Sequence, residues 1–253
     1  RSFYDKENIL SQPNSLKHYL NGALPAYLEP IQWLGVTDDL TGPSRVEEDG
    51  ISYVPEPHNG LPYFYAANAR DTRAGIVHEG AHYQQLALSW RNERPLRRFY
   101  YDSGINEGIA FYNEELMLAA GLFEDAPHSK IVMYNFMKLR AMRVIVDVQL
   151  ATGSINIETA TSFLENKVPM DRATAYEEAV SFASSPGQAL TYQIGKTQII
   201  KLFSDSIESH GQNFSMRHFH DYLWNNGNVP LSLLRFEYLD DRSELDAIDI
   251  RKS

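Results

Sequence analysis

Proline placement constrains this chain before any other feature. Pro13, Pro25, Pro30, Pro43, Pro55, Pro57 and Pro62, with Gly42, Gly50 and Gly60 between them, put more than half of the 12 prolines of a 253-residue chain near its start. Proline removes a backbone donor and clashes with the preceding helical turn. Residues 1–65 are therefore expected to form an irregular shell, with short helices such as Ser15 to Tyr19. The Asn59-Gly60 pair reads as a turn into Leu61 to Ala66, where Tyr63-Phe64-Tyr65 is the best strand candidate.

From Asp71 the pattern changes to long helical periods. One helix is predicted from about Thr72 to Arg91, with Ala74, Val77, Ala81 and Leu88 on one stripe and Pro95 marking its stop. Others are predicted from the Ser103 cap to Gly121, from Ser129 to Thr152 closed by Gly153, from Asn156 to Asn166 closed by Pro169, and over Asp171 to Ala183. Ser185-Pro186-Gly187-Gln188 has the form of a capping box opening a helix to about Ser209. A further helix is predicted over Ser215 to Asn225, stopped by Gly227 and Pro230, and the charged tail from Asp240 is expected to fray. Met133, Phe136, Met137 and Met142 read as core.

Composition narrows the function classes. The formal net charge of -10 gives no electrostatic footprint for nucleic acid or an anionic membrane surface. The absence of cysteine removes disulfide scaffolds, thiol nucleophiles and iron–sulfur clusters. No apolar run approaches the roughly 18–20 residues of a membrane helix. The chain begins with Arg1, not Met, and is expected to be a processed product or part of a longer polypeptide.

The chemistry lies in His78-Glu79-Gly80-Ala81-His82. A spacing of four puts both imidazoles on one helical face, one turn apart, as a single zinc ion requires. Glu79 stands about 100° round the helix, within reach of a water on the metal, and suits a general base. A catalytic zinc takes three protein ligands and leaves a fourth position open. Asn106-Glu107 opens the next long helix and resembles the Asn-Glu that carries the third ligand in thermolysin-like peptidases, the gluzincins. By that resemblance the ligands are His78, His82 and Glu107. Glu114, two turns beyond Glu107, is placed to orient His78 or His82 as a hydrogen-bond acceptor.

Three blocks in order resemble the bacterial domain-of-unknown-function family eight-eight-five: Glu107 to Glu114; Ser185-Pro186-Gly187-Gln188-Ala189 with Thr191-Tyr192-Gln193-Ile194-Gly195; and Arg217-His218-Phe219-His220-Asp221 with Pro230-Leu231. Family members are usually about twice this length, so the chain looks like their C-terminal half. Many members carry an inserted Pro-Gly between the glutamate and the second histidine, whereas this chain keeps the plain gluzincin spacing. The resemblance implies a mostly helical, zincin-like fold, a metallopeptidase activity, and an exported or lipoprotein form.

Within those blocks Tyr192 and His220 are candidates for donating a hydrogen bond to an oxyanion. A packing role for Tyr192, one of 15 tyrosines, and a buried histidine bonded to Asp221 or a helix end are the alternatives. Asn68 resembles the position from which zincins bind the substrate backbone, or is a turn residue before the Asp71 cap. Arg70 and Arg73 read as surface charges, and Arg94, Arg97 and Arg98 as a solvated turn.

The sequence thus describes a single zincin-like domain over 1–253: an irregular shell (1–65) with a short β element before the histidine helix, a helical metal-site core (66–240) and a charged tail (241–253). The expected activity is hydrolysis of peptide bonds by a zinc-activated water, with Glu79 as base. Alternatives are a binding protein whose metal site is inactive or structural, and a metal-dependent hydrolase of non-peptide amides or esters. The N-terminal half of the same precursor is a candidate partner, expected to cover apolar surface on the third to sixth predicted helices, from about Ser129 to Ser209.

Overall fold

The computed structural model describes residues 1–27, 37–38 and 48–250. The expected breaks at Pro30, Gly42 and Pro43, and the last residues of the tail at 251–253, lie outside the described residues. The described residues are mostly helical, with a small three-stranded sheet. The sheet joins β1 (Tyr19–Ala23), β2 (Thr37–Asp38) and β3 (Gly50–Val54) in the order β1-β3-β2. Tyr19 faces Gly50 in the parallel β1–β3 pair, and β2 runs antiparallel to β3.

The helices are α1 (Ser2–Lys6), α2 (Tyr63–Arg70), α3 (Arg73–Ser89), α4 (Pro95–Phe99), α5 (Ser103–Ala119), α6 (Pro127–Ala151), α7 (Ile157–Lys167), α8 (Arg172–Ser184), α9 (Gln188–His210), α10 (Met216–Asn225), α11 (Leu231–Leu239) and α12 (Ser243–Ile250). None of them is long and apolar enough to cross a membrane. The centre is α5, flanked by α3 and α9. Ile105, Ile109 and Ala110 of α5 are fully buried, against Ala81 of α3 and Ile199 of α9 in the main core. A second core lies under α6, α7 and α8, around Leu139, Leu164 and Ala175. Met133 and Phe136 are buried as expected, and Met137 and Met142 pack at the core margins.

Local caps start several helices where the sequence places them. Asn156 accepts from the Thr159 N–H, Asp171 from Thr174 and Ser215 from His218. On α5 the cap moves back one residue, to Asp102, which accepts from Gly104 and Ile105.

Four expectations are overturned. Tyr63 to Ala66 is not a strand; it opens α2. The aromatic β-preference yields to tertiary contacts: the Tyr63 N–H donates to Asp171 Oδ2 at 3.0 Å, and the Tyr63 and Phe64 rings both meet Phe136. Ser15 to Tyr19 is not a helix, because Tyr19 enters the sheet beside Gly50. Ser185 does not cap α9. The helix starts after Gly187, held in the left-handed region at φ 90°, and its first N–H groups donate to Asp147 of α6: Gly187 at 2.7 Å, Ala189 at 2.8 Å and Leu190 at 3.4 Å. The tail does not fray at once but forms α12, whose start is fixed by Asp241 accepting from the Ser243 N–H while Arg235 grips the same carboxylate.

The arginines also divide differently. Arg97 is buried, donating to Glu237 and to the Asn226 carbonyl, so it is not part of a solvated turn. Arg73 binds Asp71, Asp125 and the Leu122 carbonyl, fastening the start of α3.

Candidate metal centre

The four-residue spacing on α3 brings the two imidazoles together, with His78 Nε2 and His82 Nε2 3.2 Å apart. Helix α5 crosses against α3, and Asn113 Nδ2 ties the two by donating to the Val77 carbonyl at 2.7 Å. The crossing delivers Glu107 Oε2 to 3.5 Å from each Nε2. Its depth is set on the far side by α9. A Cβ on Gly195 would stand 1.8 Å from the Gly104 carbonyl oxygen and 2.9 Å from Gly108 Cα, so only glycine lets the two helices approach this closely.

The resulting triangle has the right size for zinc. Bonds of about 2.0–2.1 Å at tetrahedral angles put neighbouring donor atoms about 3.3–3.4 Å apart. Glu107 Oε2 is buried and has no hydrogen-bond partner among the described residues. A buried carboxylate oxygen left bare costs far more than a paired one, and a cation between the three atoms would satisfy it. The donor set, two imidazoles and a carboxylate, is one zinc takes.

Behind the triangle runs a buried polar chain. His78 Nδ1 lies 2.7 Å from Glu114 Oε1, and both Glu114 oxygens accept from Arg140 of α6, through Nε and Nη2. The Glu114 side chain is fully buried. Because Nδ1–H donates to Glu114, Nε2 is the nitrogen that faces the triangle and the one that carries the lone pair when the ring is neutral. Arg140 Nη2, 3.1 Å from Nδ1, is a donor beside a donor and serves Glu114.

Charge follows this geometry. Burial and the Arg140 charge push the His78 imidazole down, and the Glu107 and Glu114 carboxylates more than reverse this, raising it to about 9. Burial opposes ionisation of Glu107, but the two imidazoles beside it hold it well below the usual carboxylate range. Burial, then the Glu107 charge, push the Tyr192 phenol up, so it stays a protonated donor.

A cavity of about 240 Å3 reaches the triangle at His78 and is lined by Asn68, Glu79, Arg140, Arg143 and Tyr192 among others. Tyr192 of α9 lies parallel to the His78 ring, with centroids 6.0 Å apart. Asn68 stands on helix α2, not after a strand as the sequence predicts, and its Oδ1 is buried without a partner among the described residues.

His220 is elsewhere. It is fully buried in the main core, with Nε2 2.8 Å from the Tyr112 hydroxyl and Nδ1 2.9 Å from the Ile9 carbonyl. Both ring nitrogens are occupied and it does not line the cavity, so its proposed oxyanion role has no geometry here. Asp221, its expected partner, holds Ser11 instead.

The sequence reading missed Arg140 and Arg143. Their signal was present: Phe136, Arg140, Arg143 and Asp147 follow one another at helical spacing, continuing the buried stripe of Met133. Charges on a stripe that begins as core mark a site where burial must be matched by partners.

No curated protein matches the chain. Solved structures share its fold, among them two lipoprotein candidates. A lipoprotein candidate from Colwellia psychrerythraea superposes with a TM-score of 0.78 at 23% identity, over 94% of this chain and 42% of that one. A lipoprotein candidate of unknown function from Shewanella oneidensis gives 0.74 at 19% identity, over 94% of this chain and 43% of that one. The chain thus spans less than half the length of either. The sequence profile of the family described as "Bacterial protein of unknown function (DUF885)" matches residues 32–237, and the chain belongs to that family.

Proposed function

We propose that the chain carries the catalytic site of a zinc-dependent, gluzincin-type metallopeptidase with a zincin-like arrangement of α3 and α5. The observation that carries this reading is the triangle of His78 Nε2, His82 Nε2 and Glu107 Oε2, 3.2–3.5 Å on a side, beside a cavity that also holds Glu79. A structural zinc would have four protein ligands. The cluster formed among the described residues has three, which favours catalysis over a purely structural or binding role.

Zinc, when bound, supplies a Lewis acid and an acidified water. Glu79, on the cavity wall, would serve as the base that takes a proton from the attacking water and returns it to the leaving amine. Tyr192 donates its phenolic hydrogen to the developing oxyanion. Asn68 Oδ1 accepts an N–H from the substrate backbone. Glu114 and Arg140 act one layer behind, fixing the tautomer and tilt of His78. Both structural neighbours are lipoprotein candidates, which supports an exported form as part of the proposal.

Elemental analysis of the purified chain beside its His82→Ala and Glu79→Gln variants tests the reading. About one zinc per chain is expected in the wild type and in Glu79→Gln, with loss in His82→Ala. Peptide hydrolysis is expected in the wild type alone. No bound metal after zinc is supplied would overturn the proposal, and hydrolysis that survives Glu79→Gln would remove its general base.

A further inference from the structure

Arg140 and Arg143 sit one turn apart on α6, both buried, and both line the cavity beside the triangle. Each is held in the same way. Arg140 gives Nε and Nη2 to the two oxygens of Glu114, and Arg143 gives Nε and Nη2 to the two oxygens of Glu178. A guanidinium has five N–H groups, two of them on Nη1. Neither Nη1 has a hydrogen-bond partner among the described residues, while the rest of each fork is fixed by its glutamate. The planes of both guanidinium groups are further set by Tyr192, whose ring centroid lies 5.2 Å from Arg140 Cζ and 5.7 Å from Arg143 Cζ.

Two pre-oriented donors with no acceptor, in a cavity too small for a long ligand, define what fits. Each ion pair is internally neutral, so net charge is not the attraction. Fixed N–H groups in a partly desolvated pocket favour a ligand with a compact, strong acceptor, and a carboxylate makes the strongest such bonds. Phe64 and Phe136 on the walls suit the methylenes that carry it.

We infer that this cavity is a carboxylate subsite, in which the Nη1 groups of Arg143 and Arg140 hold a carboxylate of the peptide next to the bond presented to the triangle. The carboxylate is either an acidic side chain or the chain terminus. The purpose of the subsite rests on the metallopeptidase reading, but its existence does not, so it is tested on chelator-treated protein.

The experiment is titration calorimetry of the metal-free chain with three probes: N-acetyl-glutamate α-amide, with a side-chain carboxylate only; N-acetyl-alanine, with a terminal carboxylate only; and N-acetyl-glutamine α-amide, with none. At least one carboxylate probe is expected to bind about tenfold more tightly than the glutamine probe. The preferred one tells an acid-directed peptidase from a carboxypeptidase. Arg143→Lys, which keeps a cation for Glu178 but lacks Nη1, is expected to lose about tenfold of that preference. Equal binding of the three probes by the wild type would overturn the inference without recourse to any variant. So would a preference unchanged in both Arg143→Lys and Arg140→Lys. Carboxylate binding without any zinc-dependent hydrolysis would leave the subsite standing and remove the peptidase, whereas hydrolysis with no carboxylate preference would do the reverse.

Discussion

Glu114 decides which nitrogen of His78 faces the triangle, although it lies too far back to touch a metal itself. With its side chain fully buried and its oxygens shared between His78 and Arg140, it is held ionised against the cost of burial. Replacing such an acceptor typically costs 10- to 100-fold in metal affinity. Glu114→Gln is therefore expected to weaken zinc binding by about that factor, read by competition with a chromophoric chelator; an unchanged affinity would show that the His78 tautomer is set elsewhere. His220 has the opposite character. Burial pushes it down from 6.5 to about 4, so between those values the unfolded chain holds the proton and the folded chain does not. Its contribution is present in full above the unfolded value and is lost as pH falls toward 4. Between about pH 7 and pH 5 the wild type is expected to lose about 2 kcal/mol more unfolding free energy than His220→Gln, whose side chain does not titrate. Urea unfolding at the two pH values measures the difference, and parallel losses would place His220 in contact with solvent.

At the scale of elements, the crossing of α5 over α9 is what holds Glu107 in reach of the histidines. Gly195→Ala would push a methyl group into the Gly104 carbonyl, and the contact is backbone on both sides, so the helices must separate. Overpacking of this kind costs about 1–3 kcal/mol or more. The variant is expected to unfold at lower denaturant and to bind zinc more weakly, because Gly104 and Glu107 share α5; normal zinc affinity in a destabilised variant would uncouple the crossing from the site. Elements whose determinants are local were legible in the sequence. Asn156, Asp171 and Ser215 cap their own helices, and the His78 and His82 pair lies within one turn. What escaped depended on distant partners. Tyr63 is helical because Asp171, 108 residues on, accepts its N–H. Helix α9 begins where Asp147 of α6 receives it, not where Ser185 stands. Arg143 reads as an ordinary helix residue until Glu178 and Tyr192 are brought to it. Glu107 is the instructive case between these: its residue type beside Asn106 was readable, but its distance to the histidines follows from the contact of Gly104 with Gly195, far along the chain on α9.

In the whole molecule the candidate ligands come from two helices that otherwise meet through side-chain packing and the Asn113 hydrogen bond. A metal at the triangle would join α3 to α5 at the buried centre of the fold, so its binding free energy adds to global stability. At a free zinc concentration about 100-fold above the dissociation constant the gain is about 2.7 kcal/mol. For a chain of this size each kcal/mol moves Tm by about 2–4 °C. Zinc is therefore expected to raise Tm by about 5–10 °C over chelator-treated protein. The shift separates a built site from surface association, because metal scattered over a chain of net charge -10 would stabilise His82→Ala as much as the wild type. Differential scanning calorimetry of both proteins with zinc and with chelator decides between them. A shift confined to the wild type places the metal between α3 and α5, whereas equal shifts would mean that the triangle does not bind zinc.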